Sequence, residues 1–527
     1  MVTRRTFLSR AGLAAAAASG APHIGRSAEA LLAQPGQTPA KIIQIVSDGM
    51  SMGALTCADA LSHLLRKKGL SWINLLRDNA TQQGLVCTRS LNSMVTDSSA
   101  ASSAWGSGSR VVNGTLNMLP DGRKLRPLYP LFAEKSWARG LVTTAEVTHA
   151  TPAGFAVSVG SRGDAPQIAL QYFDQKIDVM LGGGRPAFVA KTRPDKRDLH
   201  AEFAAAGYAV VNDKAGLAAA PLDKPLLGTF ADGHLPYTID HLADPALVAS
   251  VPTLAELTQA ALARLENREH FILQVEGARI DHAAHNSDAP AALRDQIALD
   301  EAIDVCLDFQ KRHPDTLIVM TTDHGNSNLA LNGAGAGYNA SSKVFANVAG
   351  VKMSLPMILK LIEKTGKMQA VKPPEKEDDA PSAEPTKFTG AVETIEGLAI
   401  DPKKVQEILK EVAGYEVSDR RSKWFVSTIA GQTPPLYKQM DTAISQLGQL
   451  MANHLGIGWT GNTHTSDYVP VLAIGPGAEK FLGYHDNTDF FGIYTGLVGI
   501  DFKNPSVPLL ADLAPGDPEQ AWRYALA

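Results

Sequence analysis

Just beyond the ends of short apolar runs, the sequence places side chains that can hold a divalent cation: Asp48, His149, Glu276, Asp323 and His324, with no lysine among them. Asp281 and His285 are four positions apart, so on a helix they share one face and can hold one ion. Such a pair is also an ordinary surface feature. Far downstream, Thr463-His464-Thr465 offers another imidazole. Carboxylate with imidazole suits zinc, whereas oxygen-only sets suit magnesium. The residues divide accordingly. Asp281, His285 and His464 could form a three-ligand zinc site with an open position, and Asp48, Asp323 and His324 a second. Asp48, Thr151 and Glu276 could form an oxygen-only site. The segment Val95 to Trp105 reads as a helix start made of small residues, with Asp97-Ser98 at its head. A serine there meets backbone N–H groups and a dipole that favour an anion, so Ser98 could be a nucleophile. An N-cap has the same local pattern, and the residues alone leave both roles open. Histidines such as His63, His200 and His234 lie in ordinary polar surroundings and are expected to be structural.

The elements that must position these groups are strands and helices in alternation. Runs beginning at Lys41, Gly140, Phe271 and Thr316 are near-continuously apolar and lead to Asp48, His149, Glu276 and Asp323-His324. Such runs fit strands buried on both faces of a parallel sheet. A further run, Ile177 to Leu181, leads to an expected turn at Gly182-Gly183-Gly184. Between them, Ala291 to Phe309 has helical spacing with Pro290 before it. The expected fold is α/β: a doubly wound, mostly parallel sheet flanked by helices. Ligands of such sheets bind at the carboxyl ends of the strands. Residues 333–457 are expected to form a mostly helical insertion before His464, with helices at Met353 to Glu363, from Asp401-Pro402 and at Leu436 to His454. Within it, the Pro-, Glu- and Lys-rich stretch 370–387 is expected to be disordered.

Composition fits an ordinary soluble globular protein: 45% hydrophobic, 20% charged and a net charge of −5. That balance lacks the basic footprint of a nucleic-acid binder. Cys57, Cys87 and Cys306 are too few and too scattered for a disulfide framework or a thiolate zinc site. At the start, Thr3-Arg4-Arg5-Thr6-Phe7-Leu8, the apolar run Ala11 to Ala18 and Ala28-Glu29-Ala30 read as a twin-arginine signal peptide over residues 1–30. The run is too short to span a bilayer, and no transmembrane segment is expected. The expected location is the bacterial periplasm or the medium, and the catalytic domain is expected over 38–527.

Taken together, Ser47-Asp48-Gly49, Val95 to Trp105, His149-Ala150-Thr151-Pro152, Ser161-Arg162, Leu181 to Gly184, Glu276 to His285, Asp323-His324 and His464-Thr465 resemble the alkaline phosphatases, in the family's own order. The resemblance implies hydrolysis of small phosphate monoesters through a phosphoserine on Ser98, with Arg162 gripping two phosphate oxygens and Asp97 orienting it. It implies two zinc ions, on Asp281, His285 and His464 and on Asp48, Asp323 and His324. It also implies one magnesium ion on Asp48, Thr151 and Glu276, with His149 and His282 behind these ligands, and a homodimer. Ser99 stands where the family usually has alanine. Within the superfamily the alternatives are a phosphodiesterase or sulfatase, against which Arg162 speaks. No formylglycine-type Cys/Ser-x-Pro-x-Arg motif occupies the nucleophile position. A non-catalytic phosphate-binding protein would leave a nucleophile and three metals without a purpose.

Overall fold

The apolar runs become adjacent strands whose ends are level. The computed structural model describes residues 38–334, 338–368, 398–433 and 440–509. Its main sheet comprises β1 (Lys41–Val46), β2 (Gln82–Cys87), β3 (Ala138–Glu146), β4 (Val179–Gly183), β5 (Ala209–Val211), β6 (Leu226–Thr229), β7 (Phe271–Glu276), β8 (Thr316–Thr321), β9 (Val469–Ile474) and β10 (Gly483–Asp486). They lie in the order β10-β2-β9-β8-β1-β7-β3-β4-β6-β5. Only β9 runs against its neighbours, so the sheet is mostly parallel. Every residue of β1, β7 and β8 is buried, as strands covered on both faces require. Ile43 and Ile45 join the apolar core on one face, and Ile42 and Val46 join the core on the other.

Register sets the site. Val46 pairs with both Glu276 and Thr321, and Thr143 pairs with Glu276. The carboxyl ends of β8, β1, β7 and β3 therefore stand side by side. In β4, Gly182 and Gly183 continue the strand instead of forming the expected turn. A Cβ on Gly183 would stand 2.0 Å from the Gly233 carbonyl oxygen, so these glycines serve close backbone approach.

The helices that carry or brace the site are α1 (Ser98–Ser107), α2 (Ala150–Gly154), α3 (Leu254–Leu265), α4 (Arg279–His285) and α5 (Ala289–Arg312). α5 starts earlier than its apolar spacing suggests, because Asp288 accepts from the Ala291 N–H as its cap. α1 crosses α2 at glycine. A Cβ on Gly106 would come 1.9 Å from the Gly154 carbonyl oxygen, and Ser102 Oγ donates to the Ala150 carbonyl at 2.9 Å. This crossing fixes the helix that begins at Ser98 against the one that holds Thr151.

Between β8 and β9 the chain leaves on a short ribbon, Ala330–Leu331 against Ile457–Gly458. The intervening described residues form helices at Ser341–Phe345, Leu355–Glu363, Pro402–Ala413, Asp419–Ile429 and Ala443–Leu455. Ser354, Asp401 and Thr442 cap three of them, which moves the first and last starts inward from Met353 and Leu436. The expected linker 370–387 and leader 1–30 lie outside the described residues. Ile358, Leu409, Phe425 and Leu447 share one apolar core with Leu293 and Ile303 of α5. Among the described residues, the stretch Pro245–Leu265 is long and apolar enough to cross a membrane, and 341–350 with 355–363 would be if the bent pair were one span. The first of these contains α3, which buries Leu257, Ala261, Leu262 and Leu265 in the sheet's core.

Gly106→Ala is expected to cost about 1–3 kcal/mol in urea unfolding, because the methyl group meets backbone that cannot rotate away. A second expectation concerns pH. Asp295 of α5 accepts from Thr238 Oγ1 at 2.9 Å, and burial pushes its carboxyl up to about 7. In the unfolded chain an aspartate titrates near 3.9, so folding favours the protonated form. That contribution is complete below about pH 4 and is lost as pH rises through about 7. Asp295→Asn should therefore flatten the fall in stability across that window, by up to about 1.4 kcal/mol per pH unit.

Candidate active site

Three sets of ligand-type side chains meet at the level strand ends. Asp281, His285 and His464 bring one donor atom each within 4.8 Å of one another, as do Asp48, Asp323 and His324, and Asp48, His149 and Glu276. α4 puts Asp281 and His285 one turn apart, with Oδ2 and Nε2 separated by 3.2 Å. His464 arrives by strand pairing, its backbone opposite Asn326, two residues after His324. Its Nε2 lies 3.0 Å from His285 Nε2 and 3.6 Å from Asp281 Oδ1.

The imidazoles share one orientation. His285 Nδ1 faces the Asn462 carbonyl at 2.7 Å, His464 Nδ1 the Thr96 carbonyl at 2.8 Å and His324 Nδ1 the Gly325 carbonyl at 3.3 Å. A carbonyl can only accept, so each Nδ1 carries hydrogen and each neutral ring aims an Nε2 lone pair inward. The facing lone pairs of His285 and His464 call for a cation between them. The carboxylates call for one too: Asp48 Oδ1, Glu276 Oε1 and Asp323 Oδ2 are buried without a hydrogen bond among the described residues. The donor chemistry thus fits divalent ions.

Electrostatics tell the same story. Burial, then the negative charges of Asp323, Asp281 and Glu276, holds Asp48 well above the usual carboxylate range. Burial pushes Glu276 up to about 7, even though Thr143 Oγ1 donates to it at 2.5 Å. At Asp281 burial is outweighed by His285, and its carboxyl falls well below the usual range. Burial and the neighbouring His324 pull His464 down to about 3. Burial opposes charge on both Asp323 and His324, yet their mutual attraction lowers the first and raises the second. A proton shared by that pair and a divalent cation satisfy the same atoms. Gly49, with φ at +68°, is forced by the crowding: a Cβ would meet Asp281 Oδ1 at 2.4 Å.

Ser98 lies against this cluster, with Oγ 3.2 Å from His324 Nε2. It is not the helix cap. Asp97 takes that role by accepting from the Ala100 N–H, and Ser98 becomes the first residue of α1. Asp97 also binds Arg162 Nη1 at 3.0 Å, and Arg162 Nη2 faces His149 Nε2 at 3.3 Å. Burial opposes ionisation of Asp97, but the guanidinium wins and lowers its pKa.

Thr151 Oγ1 is 3.5 Å from Asp48 Oδ2, beside Glu276, and His149 also stands with Asp48 and Glu276. His282 does not join the three sets. Its Nδ1 lies 2.9 Å from Arg279 Nη1, and its ring lies 4.2 Å from that of His234. His234 is not in the ordinary polar surroundings expected of it, although its Nδ1 accepts from the Glu146 N–H at 3.2 Å, a structural bond. It stands against His149 and His282, and burial with Arg279 and Arg162 drives its pKa to about 3. It lies a few residues past the end of β6, a strand the apolar runs did not reveal. His200 is structural as expected, bonded to Thr229 Oγ1 and stacked on Phe188. Asn326, whose Nδ2 donates to Asp281 Oδ1 at 2.6 Å, and Thr143 carried no signal in the sequence.

Known proteins resemble this chain in sequence and fold. The family model for alkaline phosphatase matches residues 40–497. Alkaline phosphatase 3 of Bacillus subtilis (strain 168) is 32% identical over 402 residues, 75% of this chain and 75% of the relative. Streptomycin-6-phosphate phosphatase of Streptomyces griseus is 34% identical over 343 residues, 55% of this chain and 75% of that one. The crystal structure of Thermus thermophilus alkaline phosphatase has 31% identity and a TM-score of 0.79, covering 96% of this chain and 99% of that chain. With a match that runs from β1 to beyond β10, the chain belongs to the alkaline phosphatase family, a family of metal-dependent enzymes, and is a phosphatase.

Proposed function

We propose that the chain hydrolyses phosphate monoesters through a phosphoserine intermediate on Ser98. One observation carries this reading: Ser98 Oγ, at the head of α1, lies 3.2 Å from a ligand of the Asp48 set, while the adjacent Asp97 tethers Arg162. We assign zinc to Asp281, His285 and His464 and to Asp48, Asp323 and His324, and magnesium to Asp48, Thr151 and Glu276. Divalent ions bound there supply positive charge and Lewis acidity to the phosphoryl oxygens and to the groups gaining negative charge. The chain's own residues do the rest. Arg162 presents a planar fork to two unesterified oxygens, which a diester cannot offer as freely. Ser98 Oγ attacks phosphorus in line, the alcohol leaves, and water then cleaves the phosphoserine to release inorganic phosphate and restore the serine. The helix N-terminus favours the anionic oxygen of Ser98 and the phosphoryl group it receives.

The twin arginines Arg4-Arg5 and the small-residue site at Ala28 to Ala30 support export by the twin-arginine machinery to the periplasm or medium. Homodimer formation rests on resemblance.

With zinc and magnesium, the purified protein should hydrolyse p-nitrophenyl phosphate, and Ser98→Ala should lower turnover by about 10³-fold or more. Equal rates would remove Ser98 from the mechanism. Arg162→Ala should lose monoesterase activity at least about tenfold more than diesterase activity, and a uniform loss would count against the fork. For the metals, zinc added to chelator-treated protein should raise its thermal midpoint. His464→Ala should bind one zinc fewer by elemental analysis; unchanged stoichiometry would contradict the assignment.

A further inference from the structure

Asp97 is unusually well supplied with donors. Its Oδ1 accepts from the Ala100 N–H at 2.9 Å. Its Oδ2 accepts from Ser99 Oγ at 2.6 Å, the Gly114 N–H at 2.9 Å and Arg162 Nη1 at 3.0 Å. Three donors crowd Oδ2, whereas Oδ1 takes one, from the cap of α1. Ser99, wholly buried, makes the shortest of these bonds. The Gly114 N–H also donates to Ser99 Oγ at 3.2 Å, which turns the hydroxyl hydrogen toward Asp97. Left to themselves, an arginine and a carboxylate favour a two-pronged pair with parallel hydrogen bonds. Here only one terminal nitrogen of Arg162 is engaged by Asp97, and the other faces His149.

We propose that Ser99 is a positioning residue: its hydroxyl anchors Asp97 Oδ2 and fixes the rotation of the carboxylate, so that Oδ1 stays on the cap of α1, the Asp97–Arg162 ion pair keeps to one prong and the remaining guanidinium donors are left for phosphate. This rests on the phosphomonoesterase reading, and it makes Ser99 a determinant of affinity for substrate and product phosphate. Without the hydroxyl, Asp97 is free to turn and take both prongs of the fork.

The test uses the zinc- and magnesium-loaded enzyme and inorganic phosphate as inhibitor. Ser99→Ala should raise the Ki for phosphate and the KM for p-nitrophenyl phosphate together, by about three- to tenfold. In an Arg162→Ala background the same change should move Ki by less than about 1.5-fold, because the effect passes through the guanidinium. A Ki equal to that of the parent overturns the proposal. So does an equal rise in both backgrounds, since a merely structural role would not depend on Arg162. If instead Ser98→Ala retains full turnover, the phosphoserine reading fails, whatever Ser99 does.

Discussion

Four carboxylates, Asp48, Glu276, Asp281 and Asp323, are buried within one small volume, and the rest of the structure answers to their repulsion. Two like charges about 4 Å apart repel by about 4 kcal/mol at an effective dielectric constant of 20. Among the described residues, the ion-pair partners of Asp48, Asp281 and Asp323 within the cluster are histidines. Such a cluster is a liability to the bare fold and an asset once cations are held. The raised proton affinities of Asp48 and Glu276 are that liability in another form, which Asp281 escapes through His285.

Ser98, Arg162 and the clustered carboxylates and imidazoles form one mechanical unit. His464 Nδ1 is held by the carbonyl of Thr96, one residue before Asp97. Asp97 caps the helix that begins with Ser98 and tethers Arg162. His324 Nε2 reaches Ser98, and its ring stacks on His464 at 3.5 Å. A shift in any of these is felt by the others, which suits phosphoryl transfer, where positioning and charge do most of the work.

Much of this was legible in the sequence for definite reasons. Strands buried on both faces leave continuous apolar runs, and the residue after such a run must stand at the sheet edge; Asp48, Glu276 and Asp323-His324 were readable on that ground. Asp281 and His285 were readable because a helix has one period. What escaped was whatever depends on contacts between distant segments. The cap at Asp97 and the serine beside it look alike until α1 is oriented against α2. His234 resembles any turn histidine until β6 is known to lie beyond β4. The strand character of Gly182 and Gly183 follows from their pairing with Thr229 of β6 and Glu146 of β3.

The placement of His464 shows how a long detour can be harmless. More than a hundred residues separate it from His324, yet the two rings stack. The entropy of closing a loop grows only with the logarithm of its length, so doubling the detour adds about 0.6 kcal/mol. Two ribbons then fix the return: Ala330 opposite Gly458, and Asn326 opposite His464. Register in such pairs is discrete, and a slip of one residue would turn His464 to the other face. His464 is therefore located by the short ribbons beside β8 and not by the helices between them. That segment is free to vary in length and in surface while the metal site stays the same.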